Sequence, residues 1–317
     1  MGVRRLRAIE SFKTPRDRVA EDLFGIPIAT MNDSAVLLIT CPDQKGLVAT
    51  VSGELYRFGA NIIHADQHQD HDAGLFFMRV EWTLGNEGEK AFDIQAFSEA
   101  FAPIARQYNM DSQLHVSAIR PRIAIFVSQH LHCYADLLHR HQMGELECEI
   151  SMVISNHTDG EALAKFYGIP FHHIPLTAAN RAEGEAKQFS LLEAAGVELV
   201  VLARYMQILS PEFVRRYPFG VINVHHSFLP AFIGARPYHA AHKRGVKLIG
   251  ATSHYVTEEL DDGPIIEQDV ARVSHRDQVQ DLIAKGRDLE RVVLSRAVMW
   301  HLDRRILRYG NKTVIFD

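Results

Sequence analysis

Val221-Ile222-Asn223-Val224-His225-His226-Ser227-Phe228-Leu229-Pro230 is the stretch on which the reading of the fold turns. Val221 and Ile222 have the character of the end of a buried strand, and Ser227 with Pro230 marks the turn where that strand runs out. Along an extended backbone alternate side chains share a face, so Asn223 and His225 point the same way. Open α/β sheets gather their ligand-binding groups just beyond the carboxyl ends of strands. An amide donor beside a titratable imidazole there can polarise a carbonyl and stabilise its tetrahedral intermediate. Taken alone, the pair fits better an Asn that closes the turn and a His that is a hydrogen-bonded core residue.

Working upstream, the chain alternates strand and helix. Strands are expected at residues 123–127, 148–154, 170–173 and 197–203, with helices near 131–141, 160–167 and 182–194. Such alternation predicts a parallel sheet covered on both faces. No Gly-x-Gly-x-x-Gly follows the first of these strands, which argues against a dinucleotide-dependent enzyme. Ser210-Pro211 opens a further helix, with Ser as N-cap and Pro at its first position. Before it lies an apolar loop, Met206-Gln207-Ile208-Leu209, at the carboxyl end of a strand.

Downstream, Leu248, Gly250, Thr252, His254 and Val256 alternate along one strand, on which His254 reads as a structural histidine. The acidic turn Thr257-Glu258-Glu259-Leu260-Asp261-Asp262-Gly263-Pro264 follows, closed by Gly and Pro. A strand at 265–270, a long helix over about 277–308 and a last strand at 313–316 complete this half.

Residues 120–122, Arg-Pro-Arg, read as a linker, so a second domain occupies 123–317. Residues 34–119 carry their own pattern: a strand at 35–40, a helix with Leu47, Val51, Leu55 and Phe58 along one face, strands at 61–68 and 75–82, a helix at 91–108 and a strand at 113–119. That βαββαβ order is the ferredoxin-like unit. Residues 1–33 read as an extension that docks, if at all, through 23–28.

Composition narrows the function classes. The 317 residues are 47% hydrophobic and 23% charged, as in soluble globular proteins. No apolar run approaches the ~18 residues of a membrane span. A net charge of -5 without a basic block disfavours a nucleic-acid partner. Cys41, Cys133 and Cys148 are scattered and read as reduced thiols of a cytoplasmic protein. The 18 histidines show no strong ligand spacing, so no metal is expected.

Asn-x-His followed at this distance by a Leu-Asp-x-Gly-Pro turn resembles the folate-dependent formyltransferase family, which includes formyltetrahydrofolate deformylases. Pro42-Asp43-Gln44-Lys45-Gly46-Leu47 with Gly59-Ala60-Asn61-Ile62 similarly resembles an ACT domain. The resemblance implies an ACT domain followed by a Rossmann-like, mostly parallel-sheet formyltransferase domain. By resemblance, Asn223, His225 and Asp261 act on the formyl group, and Met206, Gln207, Ile208, Leu209, His226 and Gly263 bind the folate. His226 departs from the family pattern, which has Pro next to the catalytic His in the transferases. Asp43, Lys45, Gly46 and Asn61 would hold a small amino-acid effector, or the ACT-like domain serves only dimerisation. The pairing of both domains points to hydrolysis of 10-formyltetrahydrofolate by water, supplying formate for purine synthesis from a homo-oligomer, with no tightly bound cofactor. Two alternatives stay open: formyl transfer to an amine such as glycinamide ribonucleotide, and a non-catalytic amino-acid and folate sensor.

Overall fold

The computed structural model describes residues 33–85, 92–218, 220–230 and 237–317. The expected N-terminal extension, apart from Asp33, and the loop at 231–236 lie outside the described residues.

The first sheet is built from β1 (Ser34–Pro42), β2 (Asn61–Asp70), β3 (Leu75–Thr83) and β4 (Asp111–Val116), with α1 (Leu47–Arg57) and α2 (Ile94–Gln107) between them. Its order is β2-β3-β1-β4, antiparallel throughout, which is the ferredoxin-like arrangement. Leu47, Val51 and Leu55 of α1 and Phe97 and Phe101 of α2 press on one face. Asp93 caps α2 by accepting from the Ala96 backbone N–H. Both β1 and β3 are buried without alternation. The reason is that the second face is covered too, by Leu307 and Phe316 lying on Val36, Leu38 and Phe77.

That cover corrects the expected C-terminal helix. α8 (Val279–Leu302) stops at Asp303, Arg304 turns the chain at φ 55°, and β12 (Ile306–Tyr309) pairs antiparallel with β13 (Lys312–Ile315). Ile306 joins the core of the large sheet while its neighbour Leu307 faces the small one. A two-residue period serving two cores is a strand pattern, and a helix cannot supply it.

The second sheet has the order β11-β10-β9-β8-β5-β6-β7. Its strands are β5 (Arg122–Val127), β6 (Glu149–Ser155), β7 (Phe171–His173), β8 (Leu199–Ala203), β9 (Val221–His225), β10 (Leu248–Tyr255) and β11 (Ile265–Arg272). Arg122 pairs with Glu149, so it belongs to β5 and not to the linker. β5 to β9 run parallel, while β10 and β11 are antiparallel additions. Between them lie α3 (His132–Gln142), α4 (Glu161–Phe166), α5 (Arg181–Ala194), α6 (Pro211–Arg216) and α7 (Pro237–Arg244). Leu137 of α3 and Val293 of α8 pack on Ile123 and Ile125; Phe189 of α5 and Phe213 of α6 pack on Phe126 from the other side. The chain winds outward from β5 through β7 and returns to β8, so the strand order reverses between β5 and β8. Such a switch point opens a crevice at the strands' carboxyl ends.

Candidate active site

β9 and β10 place the first groups. Their register sets Asn223 opposite His254 and His225 opposite Thr252. The acidic turn then brings Asp261, at φ 56°, back over the end of β9. His225 Nδ1 lies 3.2 Å from Asp261 Oδ2, with both side chains largely buried. The hydrogen bond from His225 holds the Asp261 carboxyl below its ordinary value against the opposing effect of burial. Asn223, His225 and Asp261, assigned from separate stretches, are therefore brought together.

His254 joins them, which the sequence reading missed. Its Nδ1 lies 2.9 Å from the Tyr255 carbonyl, and its Nε2 lies 3.3 Å from Asn223 Nδ2 and 3.7 Å from Asp261 Oδ1. A carbonyl only accepts, so Nδ1 carries the proton and Nε2 is left to accept from the Asn223 amide. Burial, which lowers the His254 pKa, favours this neutral form. One Asn223 N–H is thereby engaged and the other remains for a ligand. The signal for this role is the cross-strand register, invisible until β10 is paired.

The expected substrate contacts divide. Met206 and Ile208 are exposed, 55% and 59%, and flank the crevice. The Met206 N–H donates to Ser128 Oγ at 3.0 Å, and Ser128 donates to Asn156 Oδ1 at 2.6 Å, pinning the loop across the β5/β8 switch. Gln207 is half-buried beside them. Leu209 is instead a core residue packed with Phe213, so its side chain does not line the crevice. Ser210 caps α6 as its type predicts, accepting from the Phe213 N–H. Gly263 is buried, and a Cβ there would lie 1.8 Å from the Tyr255 carbonyl oxygen. Its identity is explained by the turn pressing on β10, without any ligand.

Asp43, Lys45, Gly46 and Asn61 do not form one cluster in a single chain. Asp43 follows the end of β1 that meets Leu75 and accepts from Gln69, whereas Asn61 pairs with Thr83 at the other end of the sheet. Eight residues of β3 separate the two positions, roughly 27 Å at the strand rise. An effector touching both needs a second copy.

A buried ionic group lies behind the crevice. Glu290 of α8, 1% exposed, is bonded to His132 Nε2 and Tyr238 Oη, each at 2.7 Å, and approached by Arg204 Nε at 3.5 Å. Burial raises the Glu290 pKa, but the His132 bond and the Arg204 charge more than offset it and the net direction is down. A Cβ on Gly286 would lie 2.0 Å from Tyr238 Oη, so glycine makes room for this contact. Ligand-type atoms of His132, Cys133 and Glu290 lie within 4.8 Å of one another. The Glu290 oxygens are already engaged by Arg204, His132 and Tyr238, which suits an ionic network better than a metal. His226, 9% exposed, stands between the two groups, its ring 5.0 Å from His225 and 6.3 Å from Tyr238. Burial, Arg204 and His225 press its pKa down to about 4, so it is neutral at neutral pH.

Buried neutral histidines make the fold acid-sensitive. His226 and His301 are pushed to about 4 and about 3, and His115 and His254 are also lowered, burial being the first cause in each. In the unfolded chain each binds its proton near pH 6.5, while the folded chain does not. The unfolded state therefore holds more protons below that pH, and stability falls from about pH 6.5 toward pH 4. His226 alone contributes a loss of roughly 3 kcal/mol at the acid end. Urea midpoints at pH 7, 6, 5 and 4.5 should decline steadily; a flat profile down to pH 5 would mean that these rings are protonated in the native state.

Comparison with known proteins places this geometry. A formyl transferase family signature matches residues 121–298 and an ACT domain signature residues 35–81. The formyltetrahydrofolate deformylase of Synechocystis sp. is 53% identical over 90% of this chain and 99% of its own length. That of Bacillus subtilis is 50% identical over 90% and 94%. The crystal structure of a formyltetrahydrofolate deformylase from Pseudomonas syringae pv. tomato superposes with a TM-score of 0.87 at 46% identity, covering 95% of this chain and 99% of that one. A glycinamide ribonucleotide transformylase from Symbiobacterium toebii matches less, with a TM-score of 0.59 at 30% identity over 62% of this chain and 95% of its own. Similarity at this level over both domains means that the chain belongs to the formyltetrahydrofolate deformylase family.

Proposed function

We propose that this chain hydrolyses 10-formyltetrahydrofolate to tetrahydrofolate and formate. The observation that carries the reading is the His225–Asp261 pair beside an Asn223 amide whose orientation is held by His254. In this reading Asn223 donates to the formyl oxygen and His225 stabilises the oxyanion and relays a proton. Asp261 orients His225, and the two together take the proton that the attacking water gives up. The C–N bond then breaks and the leaving nitrogen receives that proton. Met206, Gln207 and Ile208 would hold the folate ring on the apolar side of the crevice, with His226 on its polar side.

A transferase would need room and charge for a second substrate. In the segment after β5 that would cradle a phosphate, His132 is committed to Glu290, which supports water as the acceptor. The test is formate release with 10-formyltetrahydrofolate and water alone, after exhaustive chelation. Full turnover is expected without any amine. Negligible formate until glycinamide ribonucleotide or another amine is added would make the chain a transferase, and no turnover with either would favour a sensor.

The exposed edge strand β2, with Ile63 54% exposed, supports pairing with a second copy through the ACT sheet. Such pairing is also what would unite Asp43 to Gly46 of one copy with Asn61 of another around a small amino acid; light scattering of the intact chain checks the assembly. Cys41, Cys133 and Cys148 are buried and unpaired, which suits a reducing cytoplasm, where the formate would feed purine synthesis. Among the described residues no helix is long and apolar enough to cross a membrane.

A further inference from the structure

Three nitrogens around the ends of β8 and β9 are buried without a hydrogen-bond partner among the described residues: His225 Nε2, His226 Nδ1 and Arg204 Nε. Their side chains are 8%, 9% and 10% exposed. A buried polar group left without a partner is costly, so these nitrogens call for an occupant or a function. His225 Nε2 has its use at the formyl oxygen. His226 Nδ1 has no partner in that step, and Arg204 Nε has only the Glu290 carboxylate, 3.5 Å away.

Arg204 adds a second observation. Its backbone sits at φ 62°, a region that non-glycine residues enter at a cost. What Arg contributes there that Gly would not is a guanidinium, and Glu290 holds that group in place. His132 and Tyr238 hold Glu290 in turn, so three side chains from three segments fix one cation, whose charge acts on His226. The His226 ring stands nearly perpendicular to that of His225, at 77°, and being neutral it keeps one nitrogen as an acceptor. Donors and acceptors of this kind are the partners that a bound water needs, two to four in number.

We propose that His226 binds the attacking water of the hydrolysis, with Arg204, anchored by Glu290, as the positioning residue behind it. This rests on the hydrolytic reading of the site. The water oxygen forms its bond to the formyl carbon, and the carbonyl electron pair moves onto the oxygen facing Asn223 and His225. The proton lost by water passes to the His225–Asp261 pair and then to the leaving nitrogen as the C–N bond breaks. Formic acid departs and releases its proton to solvent. His226 accepts a hydrogen bond throughout and needs no net change of charge.

The test compares water with another nucleophile. His226→Leu keeps the bulk and removes the acceptor; His226→Gln restores one. For His226→Leu, kcat for formate release should fall about 100-fold with KM within about threefold, and His226→Gln should recover to within about tenfold of wild type. Formylation of added hydroxylamine, which brings its own nucleophile, should fall by no more than about fivefold in His226→Leu, because Asn223 and His225 still activate the formyl group. Glu290→Gln, which releases Arg204 without touching His226, should show the same split with a loss of about tenfold in formate, and it decides the matter if His226→Leu does not fold. Retention of kcat within threefold in His226→Leu, or equal loss of formate and formylhydroxamate in either variant, would overturn the proposal. A wild-type chain that releases no formate with water alone would instead overturn the hydrolytic reading and this proposal with it.

Discussion

Asp261→Asn is expected to lower kcat for formate release by roughly three orders of magnitude while KM stays within about threefold. The carboxylate does two things at His225 Nδ1, 3.2 Å away. It fixes the tautomer by accepting from Nδ1, and it stabilises the imidazolium that forms when a proton arrives. An amide removes the charge and can turn its N–H toward Nδ1, which leaves the ring in the wrong tautomer. His225→Ala should be as severe. Asn223→Ala should cost about 100- to 1,000-fold, the effect of removing one preorganised oxyanion donor. All three positions lie at strand ends or in a turn, outside the hydrophobic clusters, so circular dichroism and folate binding should change little. Single-turnover formate release checks each variant. Any of them that keeps more than about a tenth of the wild-type rate removes that residue from the assigned role.

Gly263→Ala should damage both stability and turnover although nothing polar is removed. The added Cβ would lie 1.8 Å from the Tyr255 carbonyl oxygen and 2.9 Å from its carbon, and backbone atoms cannot rotate out of the way. Tyr255 N–H donates to Pro264 O at 2.9 Å, so the turn and β10 must part together. Asp261 sits two residues before the clash and moves with it. A loss of about 3 kcal/mol in stability and of at least tenfold in kcat is expected, since misplacing a catalytic group by about 1 Å costs that much or more. Gly286→Ala is the control. Its Cβ meets the Tyr238 side chain, 2.0 Å from Oη, and not backbone, so the ring can turn aside at the cost of its bond to Glu290 and the loss of stability should be smaller. Thermal melts and kcat for both variants decide it; a Gly263→Ala chain that melts within about 2 °C of wild type and turns over normally would show that the turn accommodates a side chain.

Much of the architecture follows from local sequence rules. Period-two apolar runs and the spacing of Leu47, Val51 and Leu55 specify where strands and helices lie, and Ser210-Pro211 specifies where α6 starts. The alternation of strand and helix after residue 122 is enough for a parallel sheet, because each apolar strand must be covered on two faces. Asn223 and His225 share a face for the same reason, a period of two along one strand. Asp261 was legible only through resemblance: 36 residues separate it from His225, and no local rule brings the two together.

What the sequence could not determine lies wherever two segments choose one another. Ile306 to Tyr309 reads as a helix end until the small sheet offers Leu307 an apolar face, and only then does the two-sided strand become the better packing. His254 reads as structural because its role depends on the β9/β10 register, a tertiary choice made by turn geometry and core packing. Leu209 belongs to the core and Met206 to the crevice because the loop is pinned by Ser128, 78 residues away. The Glu290 network joins residues from α3, α7, α8 and the end of β8, each unremarkable where it stands in the chain. Periodicity and capping are properties of neighbours along the chain and can be read there. Charge burial, tautomer and orphaned nitrogens depend on which distant atoms share a small volume, and only the folded chain decides that.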